Sequence, residues 1–251
     1  MSPKLTVIIP TLNEEKYLPS LLRDLKNQTN SDFEVIIVDA HSKDNTIQKA
    51  EKFQDFLDIS IYESDKKNVS HQRNLGARHA KAEYLFFIDA DSRITKNCIA
   101  GLIKAIDTYK YLIFQLTLIP DSRNHTDELI FQVINYGVEL SQKLKKPLSN
   151  GGSMVIHSFI FNKLKGFDAK IYLAEDHDII KRAQKIGVSA KYLKNITLTV
   201  SLRRLQKDGF IPTLYKYSLA FIITIARGKV DKKLFEYDMG GEGYLPKPPK
   251  E

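Results

Sequence analysis

Acidic residues stand directly after two apolar runs of this chain, at the points where each run would end as a β-strand. Asp39 follows residues 34–38, and Asp89 and Asp91 follow residues 84–88. A carboxylate at such a place is costly to keep unless a cation or a hydrogen-bond donor meets it. Because alternate residues of an extended chain point the same way, Asp89 and Asp91 can serve one site that binds a hard cation and a ribose. Each aspartate taken alone could instead cap a helix or form a turn.

Three motifs that bind phosphate or activate a serine are absent from the sequence. The 12 glycines form neither Gly-x-Gly-x-x-Gly nor Gly-x-x-x-x-Gly-Lys-Ser/Thr, which argues against a dinucleotide dehydrogenase and a P-loop NTPase. No Gly-x-Ser-x-Gly turn is present, which argues against an α/β-hydrolase. A phosphorylated ligand would therefore have to be held by a metal ion and by basic side chains.

Hydrophobic periodicity predicts alternating strands and helices over the first part of the chain. Apolar runs predict strands at residues 5–9, 34–38, 58–62 and 84–88. Helical spacing predicts helices at residues 14–26, from Asp44 onward, and at residues 70–81. An alternation of this kind folds as a mostly parallel sheet with helices on both faces, and ligands bind such sheets at the carboxyl ends of the strands.

The pattern becomes mixed in the second part of the chain. Strands are predicted at residues 111–119, 154–160, 189–193 and 196–200, and helices at residues 127–144, 174–186 and 203–227. The 251 residues suffice for one large domain or two small ones. Because no internal repeat or linker is visible, we expect one domain over residues 1–200 and an appendage over residues 201–251.

The net charge of +8 arises at the end of the chain. Residues 181–251 hold 15 basic and 6 acidic residues, whereas residues 1–180 hold 23 basic and 24 acidic ones. An anionic partner is therefore expected only for the C-terminal part, where apolar residues between Ile211 and Ala226 share one helical face. This segment is predicted either to lie on an anionic membrane or to pack on the domain or on a dimer partner.

The sequence also bears on the cellular compartment. A single cysteine, Cys98, excludes an internal disulfide and a cysteine-based metal site. The N-terminus resembles no signal peptide, and the apolar stretch 214–226 is shorter than the roughly 20 residues that span a bilayer. We expect a cytoplasmic protein, with peripheral attachment to the inner membrane face as an option.

Five segments of the sequence, taken in order, are typical of one enzyme family. They are VIIPTLNE at residues 7–14, Asp39 with SKDNT at residues 42–46, QRNLGA at residues 72–77, FIDAD at residues 87–91 and AEDHD at residues 174–178. Together they resemble the family-two glycosyltransferases of the GT-A fold, over roughly residues 4–200. The resemblance implies an α/β fold: a Rossmann-like, mostly parallel central sheet flanked by helices, followed here by a helical C-terminal appendage. It also implies inverting transfer of a sugar from a nucleotide diphosphate, with Mg²⁺ or Mn²⁺ as cofactor.

The resemblance gives nucleotide-binding roles to residues of the first four segments. The residues implied for the base, ribose and phosphates are Pro10, Thr11, Leu12, Glu14, Asp39, Arg73, Asp89 and Ala90. Among them, Asp39 would bind the base and Asp89 the ribose, and Arg73 would lie near the base and phosphates. Asp91 is the implied metal ligand. Arg73 could instead be a solvated charge on the surface of its helix.

The resemblance also makes Asp176 the general base, with Glu175 as a contributor. An acceptor hydroxyl must lose its proton as it attacks the sugar, and a base works best with a pKa raised toward neutrality. One base without a protein nucleophile gives inversion. Both carboxylates could instead only complement the dipole of the helix that they open. His177, beside them, is expected at the surface.

Two departures from the family pattern affect polymerisation and phosphate binding. The sequence contains no Trp, so it lacks the Gln-x-x-Arg-Trp motif of processive relatives and is not expected to make long chains. No histidine follows His177, and Arg203 and Arg204 stand about where a basic residue completes the site in relatives, so we expect them to clamp the diphosphate. Gly151 and Gly152 are expected either to let backbone approach an acceptor or simply to form a turn.

Two other functions remain open from the sequence. A sugar-phosphate nucleotidyltransferase should carry a Gly-rich loop with Arg or Lys after the first strand, where this chain has PTLN at residues 10–13. A basic nucleic-acid-binding module should interleave basic and aromatic residues, and strand-end carboxylates would repel its ligand without a metal. We therefore expect a nucleotide-sugar donor, a glycan or lipid-linked acceptor and no nucleic acid as partners.

Overall fold

A mixed eight-stranded sheet runs through the part of the chain that this computed structural model describes, which is residues 2–143, 148–149, 153–171 and 174–203. The strands are β1 (Leu5–Thr11), β2 (Phe33–Asp39), β3 (Ile59–Glu63), β4 (Tyr84–Phe87), β5 (Arg93–Ile94), β6 (Ile113–Pro120), β7 (Met154–His157) and β8 (Ala190–Val200). The helices are α1 (Leu18–Lys26), α2 (Thr46–Glu51), α3 (Val69–His79), α4 (Cys98–Tyr109), α5 (His125–Lys143), α6 (Ser158–Lys163) and α7 (Glu175–Lys185). Strands and helices alternate from β1 to β4, as predicted.

The sheet has a parallel half and a mixed half. The strand order is β3-β2-β1-β4-β7-β6-β8-β5. The first four strands in this order pair in parallel. Strand β7 is antiparallel to both β4 and β6, β8 is parallel to β6, and the short β5 is antiparallel to β8. The predicted α/β class with a mostly parallel sheet is confirmed: four of the seven strand pairs among the described residues are parallel, three of them among β1 to β4.

Side chains of β1 alternate between two hydrophobic layers. Val7 and Ile9 pack into a layer that α1 and α4 cover, whereas Ile8 packs into a layer that α6 and α7 cover. Every residue of β1 and β2 is buried, which is typical of parallel strands with helices on both faces. The carboxyl ends of these strands are therefore held between two packed layers.

The first strand is longer than predicted. It was expected to stop before Pro10, yet it continues to Thr11, and Pro10 pairs with Val38 of β2. Strand β4 pairs with β1 only as far as Ile8, so β1 has one open edge from there on. Proline has no backbone N–H and is tolerated where one edge of a strand is unpaired.

Three predicted strands in the second half differ in extent from the observed ones. The strand predicted over residues 154–160 stops at His157, because the His157 side chain accepts the Phe159 N–H at 3.1 Å and caps α6. The two strands predicted over residues 189–193 and 196–200 are one strand, β8. Its pairing with β6 shifts between Leu116, opposite Leu193, and Thr117, opposite Thr197, so residues 194–196 form a bulge.

Helix α4 was not predicted, although its sequence carried the signal. Ile99, Leu102, Ile103 and Ile106 recur at helical spacing, and all four are buried. Apart from Arg203, the predicted helix over residues 203–227 lies outside the described residues, and so does most of the predicted appendage. Within the described residues, no helix has the length and apolar character needed to cross a bilayer.

Helix α3 lies so close to the sheet that one of its residues has no room for a side chain. A Cβ atom on Gly76 would stand 2.6 Å from Ile8 Cγ2 and 3.2 Å from Val38 Cγ2. We expect Gly76→Ala to lower the free energy of unfolding by about 1–3 kcal/mol because the added methyl group overpacks this contact. Gly137→Ala in α5 is the control, since a Cβ there meets nothing within 4 Å and alanine favours a helix. Urea denaturation measures both, and equal stability of the two variants would contradict this packing.

Candidate active site

The carboxyl ends of β1, β2 and β4 meet at one edge of the sheet, as expected for parallel strands. Thr11 ends β1 and Asp39 ends β2. Asp89 and Asp91 follow β4. The sequence-predicted acidic residues of the strand ends are therefore brought to the same edge.

Asp39 is a hydrogen-bonding centre of this edge and is only 2% exposed. Its carboxylate accepts the Thr11 hydroxyl at 2.8 Å, and the Ser42 hydroxyl and N–H at 2.6 and 2.7 Å. The Gln72 side chain of α3 donates to the carbonyl oxygens of both Thr11 and Val38 at 2.8 Å. The ends of β1 and β2 are thus fixed by polar contacts in addition to the strand pairing.

The loop after β1 is tied to the loop after β2. Asn13 has a left-handed backbone (φ 57°), which asparagine tolerates better than most residues. Its N–H donates to the Ser42 hydroxyl and its side-chain oxygen accepts the Lys43 N–H, both at 2.7 Å. The Glu14 N–H donates to the Thr46 hydroxyl at 2.8 Å. These contacts direct the buried Glu14 carboxylate toward the site.

Arg203 joins the end of β8 to this loop and to Asp91. Two of its guanidinium nitrogens donate to the two Glu14 carboxylate oxygens at 2.6 and 2.7 Å, and its Nε stands 3.0 Å from Asp91 Oδ2. Its guanidinium also lies 4.6 Å from the Tyr17 ring. Burial raises the pKa of Glu14, and Arg203 opposes that rise. Burial lowers the pKa of Arg203, but Glu14 and Asp91 outweigh it, so the net shift is upward.

Arg73 is the centre of a second group of charged residues in the site, after the group around Arg203. It is not the solvated surface charge considered from the sequence. It is 2% exposed, and its Nη1 and Nη2 donate to Glu175 Oε1 and Asp89 Oδ1, each at 2.7 Å. Burial raises the pKa of Glu175, and the positive charge of Arg73 opposes that rise. Residues of β4, α3 and α7 that are distant in sequence are therefore joined by one side chain.

Asp89 and Asp91 do not lie in an extended segment, as the alternation argument assumed. Residues 90–91 form a turn, and the Ser92 N–H donates to the Asp89 carbonyl at 3.0 Å. The two carboxylates consequently meet different arginines, Arg73 and Arg203. The negative charges of both nevertheless raise the pKa of Glu14, so both carboxylates lie near Glu14.

The first turn of α7 carries the predicted base. Ala174, just before it, has a left-handed backbone (φ 67°), and Asp176 is buried. His177 was expected at the surface, but it is only 8% exposed, because the helix turns this side chain toward the segment at Ser149. The Ser149 N–H donates to His177 Nδ1 at 3.4 Å, which suits a neutral imidazole. Burial lowers the pKa of His177, and Asp176 opposes the effect.

The site carries more acidic than basic groups. Five carboxyl groups surround two guanidiniums: Glu14, Asp89, Asp91, Glu175 and Asp176 around Arg73 and Arg203. Of the described residues, no three His, Cys, Asp or Glu side chains form a ready metal cluster. Mg²⁺, however, is commonly held by one or two carboxylates together with phosphates and water. Asp91, a carboxylate at the edge where the strands end, fits such a ligand once its contact with Arg203 is exchanged for the ion.

Three of the sequence-predicted site residues lie outside the described residues: Gly151, Gly152 and Arg204. Ser42, Gln72 and Tyr17 also contribute to the site and were not predicted as site residues. Ser42 and Gln72 fall within two of the segments that carry the family resemblance, so their hydroxyl and amide groups could have been predicted to bond to the strand ends. No pattern pointed to Tyr17.

The fold and the family follow from comparison with known proteins. The model of the family described as Glycosyl transferase family 2 matches residues 6–164, so the chain belongs to that family. It is 26% identical over 219 residues to the poly(ribitol-phosphate) beta-N-acetylglucosaminyltransferase TarP of Staphylococcus aureus, covering 85% of this chain and 62% of TarP. It is 28% identical over 145 residues to the GalNAc(5)-diNAcBac-PP-undecaprenol beta-1,3-glucosyltransferase of Campylobacter jejuni, covering 56% of this chain and 47% of that protein. The chain spans less than two thirds of the length of either relative.

Solved structures share the fold. The structure of S. aureus TarS residues 1–349 with UDP superposes with a TM-score of 0.64 at 21% identity, covering 80% of this chain and 61% of that one. The mannosyltransferase PcManGT of Pyrobaculum calidifontis, solved with GDP-Man and Mn²⁺, gives a TM-score of 0.65 at 20% identity, covering 79% of this chain and 57% of that one. The predicted GT-A fold is confirmed.

The buried His177 predicts a pH dependence of stability. Below pH ~6.5 an exposed histidine binds a proton, so the unfolded chain takes up protons that the folded imidazole, with its lowered pKa, resists. Stability therefore falls as the pH falls, by up to about 1.4 kcal/mol for each unit by which the pKa is lowered. We expect His177→Asn to make the free energy of unfolding fall less steeply between pH 7.5 and 5. His125→Asn is the control because the His125 side chain is 95% exposed. If urea denaturation gave the same dependence of the free energy of unfolding on pH for the wild type and for His177→Asn, the lowered pKa of His177 would be refuted.

Proposed function

We propose that this protein is an inverting, metal-dependent glycosyltransferase of the hexosyltransferase type. It would move a sugar from a nucleotide diphosphate to an acceptor hydroxyl, with Asp176 as general base. The observation that carries the proposal is the Arg73 bridge, which joins Asp89 at the end of β4 to Glu175, the neighbour of Asp176. This bridge supports the proposal that the implied donor-binding residues and the implied base serve one site.

The donor would bind at the carboxyl ends of β1, β2 and β4. Pro10, Thr11, Leu12 and Glu14 form the end of β1 and the loop after it, and Asp39 ends the neighbouring strand. Asp39 is as buried as Arg73, at 2% exposed, so a nucleobase would reach it only after a shift of the surrounding loops. Its Oδ2, which accepts the Ser42 N–H, could then accept a further hydrogen bond from the base. Asp89 and Ala90, after β4, would meet the ribose. The structures solved with UDP and GDP-Man bind nucleotides on this fold, which supports a nucleotide donor.

Asp91 would hold Mg²⁺ or Mn²⁺ against the diphosphate. A divalent cation there supplies positive charge that neutralises the leaving phosphate. The family resemblance and the place of Asp91 directly after β4 support this role, and the ion would have to displace the Arg203 nitrogen that stands 3.0 Å from Asp91 Oδ2. Arg203 would clamp the diphosphate together with Arg204, which lies outside the described residues, since a guanidinium forks well onto phosphate oxygens. For this role Arg203 would have to exchange its two bonds to Glu14 for bonds to phosphate.

Asp176 would take the proton of the acceptor hydroxyl. As that oxygen bonds to the sugar C1, the bond from C1 to the diphosphate oxygen breaks, and the leaving nucleotide carries away the electron pair. Attack from the face opposite the leaving group inverts the configuration at C1. Glu175, with its raised pKa and its bond to Arg73, would help to orient this turn of α7.

The acceptor is proposed from the names of the relatives. TarP is named for transfer to poly(ribitol-phosphate), and the Campylobacter protein for an undecaprenol-linked saccharide. We therefore propose a glycan or lipid-linked acceptor, approached near Gly151 and Gly152. A cytoplasmic location remains a prediction from the single cysteine and the N-terminal sequence. Peripheral membrane attachment and a homodimer remain predictions from the basic segment 204–251, which lies outside the described residues.

Removal of the base should separate chemistry from binding. We expect Asp176→Asn to lower nucleoside diphosphate release from a panel of UDP, GDP and dTDP sugars by about 10³-fold. Its affinity for the nucleotide should stay at the wild-type value, because Asp176 acts on the acceptor. Asp91→Ala should abolish both transfer and the effect of Mn²⁺ on nucleotide affinity. Titration calorimetry measures the affinities.

The control for both variants is Asp127→Asn. Asp127 also lies in the first turn of a helix, α5, where it accepts the Ser122 hydroxyl at 2.6 Å. Its removal therefore shows what the loss of an acidic residue from a helix N-terminus does outside the proposed site. Asp127→Asn should retain full turnover. Wild-type turnover in Asp176→Asn or in Asp91→Ala would exclude the proposed function.

A further inference from the structure

Arg73 is covered by protein, whereas one of its two carboxylate partners is open to ligands. Its side chain is 2% exposed and that of Glu175 is 13% exposed, but the Asp89 side chain is 47% exposed. A ligand hydroxyl can therefore reach Asp89 and cannot reach Arg73 without a rearrangement. Arg73 thus acts on a bound ligand through Asp89 and not by touching it.

Helix α3, which carries Arg73, is anchored on both sides by hydrogen bonds. Gln72 bonds to the ends of β1 and β2, as described above, and Asn74 bonds to the segment that leads to α7. The Asn74 side chain donates to the Phe167 carbonyl at 2.8 Å and accepts the Phe167 N–H at 2.9 Å. The Phe167 ring lies 5.5 Å from the Arg73 guanidinium. Gln72, Arg73 and Asn74 are consecutive in α3, and together they connect the carboxyl ends of β1 and β2 to the segment that leads to α7.

The guanidinium itself is positioned by its two carboxylates. Its Nε is buried without a hydrogen-bond partner among the described residues, so its only hydrogen bonds go to Asp89 and Glu175. A guanidinium is planar and rigid, so a displacement of one carboxylate is passed to the other. Burial lowers the pKa of Arg73, but Asp89 and Glu175 outweigh it, and the group stays charged.

We propose that Arg73 is a positioning residue that couples occupation of Asp89 by the donor to the orientation of Glu175 and of the first turn of α7. The inference rests on the proposed function, since it takes Asp89 as a donor contact and Asp176 as the base. It replaces the direct contact of Arg73 with the nucleotide that the family resemblance implied. Arg73 is then needed for turnover even though it touches neither substrate.

A double-mutant cycle tests the coupling. Arg73→Lys keeps the charge but not the fork that spans two carboxylates, and Glu175→Gln keeps the size of its partner. We expect each to lower kcat about 100-fold, the effect of a misplacement of about 1 Å at a reacting centre. The double variant should be no slower than Arg73→Lys alone. Nucleotide affinity should fall about tenfold in Arg73→Lys and stay unchanged in Glu175→Gln.

Arg182→Lys is the matched control. Arg182 is also a forked, partly buried arginine near α7, bonded to Asp178 at 2.6 Å and to the Gly166 carbonyl at 2.8 Å, but it meets neither Asp89 nor Glu175. It should keep kcat and nucleotide affinity within about threefold of the wild type. An equal loss of kcat in Arg182→Lys, or additive losses in the double variant, would overturn the coupling.

Hydrogen exchange provides a readout that does not depend on transfer. Saturating nucleoside diphosphate with Mn²⁺ should slow amide exchange at residues 175–178 of the wild type and leave these amides unchanged in Arg73→Lys. Asp89→Asn, which keeps Arg73, serves as a second variant should Arg73→Lys fail to fold, and it should lose the same protection. Retained protection in a variant that binds the nucleotide would overturn the inference.

The outcomes also separate this inference from the proposed function. Protection in the wild type without sugar transfer from any donor would exclude the proposed function and leave the coupling in place. Transfer together with unchanged protection in both variants would exclude the coupling alone. A wild type that binds no nucleotide would exclude both.

Discussion

The site depends on the neutralisation of carboxylates that the fold gathers at one partly buried edge. Parallel pairing brings the ends of β1, β2 and β4 together, and the first turn of α7 adds two further acidic residues. Removing one partner of a buried ion pair costs about 3–5 kcal/mol, whereas the intact pair adds little net stability. Arg73 and Arg203 are therefore required once the carboxylates are present, but they do not explain why the carboxylates are there. A ligand that needs oxygen donors and a cation does explain it.

The two arginines divide this task. Arg73 is buried and connects elements within the domain, so it belongs to the permanent frame of the site. Arg203 comes from the chain after β8 and rests on Glu14, Asp91 and the Tyr17 ring. Arg203 thus holds Asp91, the carboxylate that we propose as the metal ligand. One carboxylate serves as an anchor for the chain and as the proposed cation ligand.

The parallel half of the sheet could be predicted because each strand is a run of apolar residues and each connecting helix repeats at the helical period. The acidic strand ends could be predicted because a carboxylate after such a run needs a partner. The burial of Arg73 could not, since the buried face of α3 is polar: Ser70, Gln72, Arg73 and Gly76. Periodicity detects apolar faces only. His177 was misplaced for the same reason, and β8 was read as two strands because residues 194–196 interrupt its alternation.

We propose that the strand-end carboxylates accept a nucleoside diphosphate only with a divalent cation. Titration calorimetry of the wild-type protein with UDP and with GDP, in Mn²⁺ and in EDTA, tests this claim most directly. The account predicts binding of at least one of the two nucleotides in Mn²⁺, and an affinity at least about tenfold lower in EDTA because the carboxylates then repel the phosphates. Equal affinity in Mn²⁺ and in EDTA would contradict it.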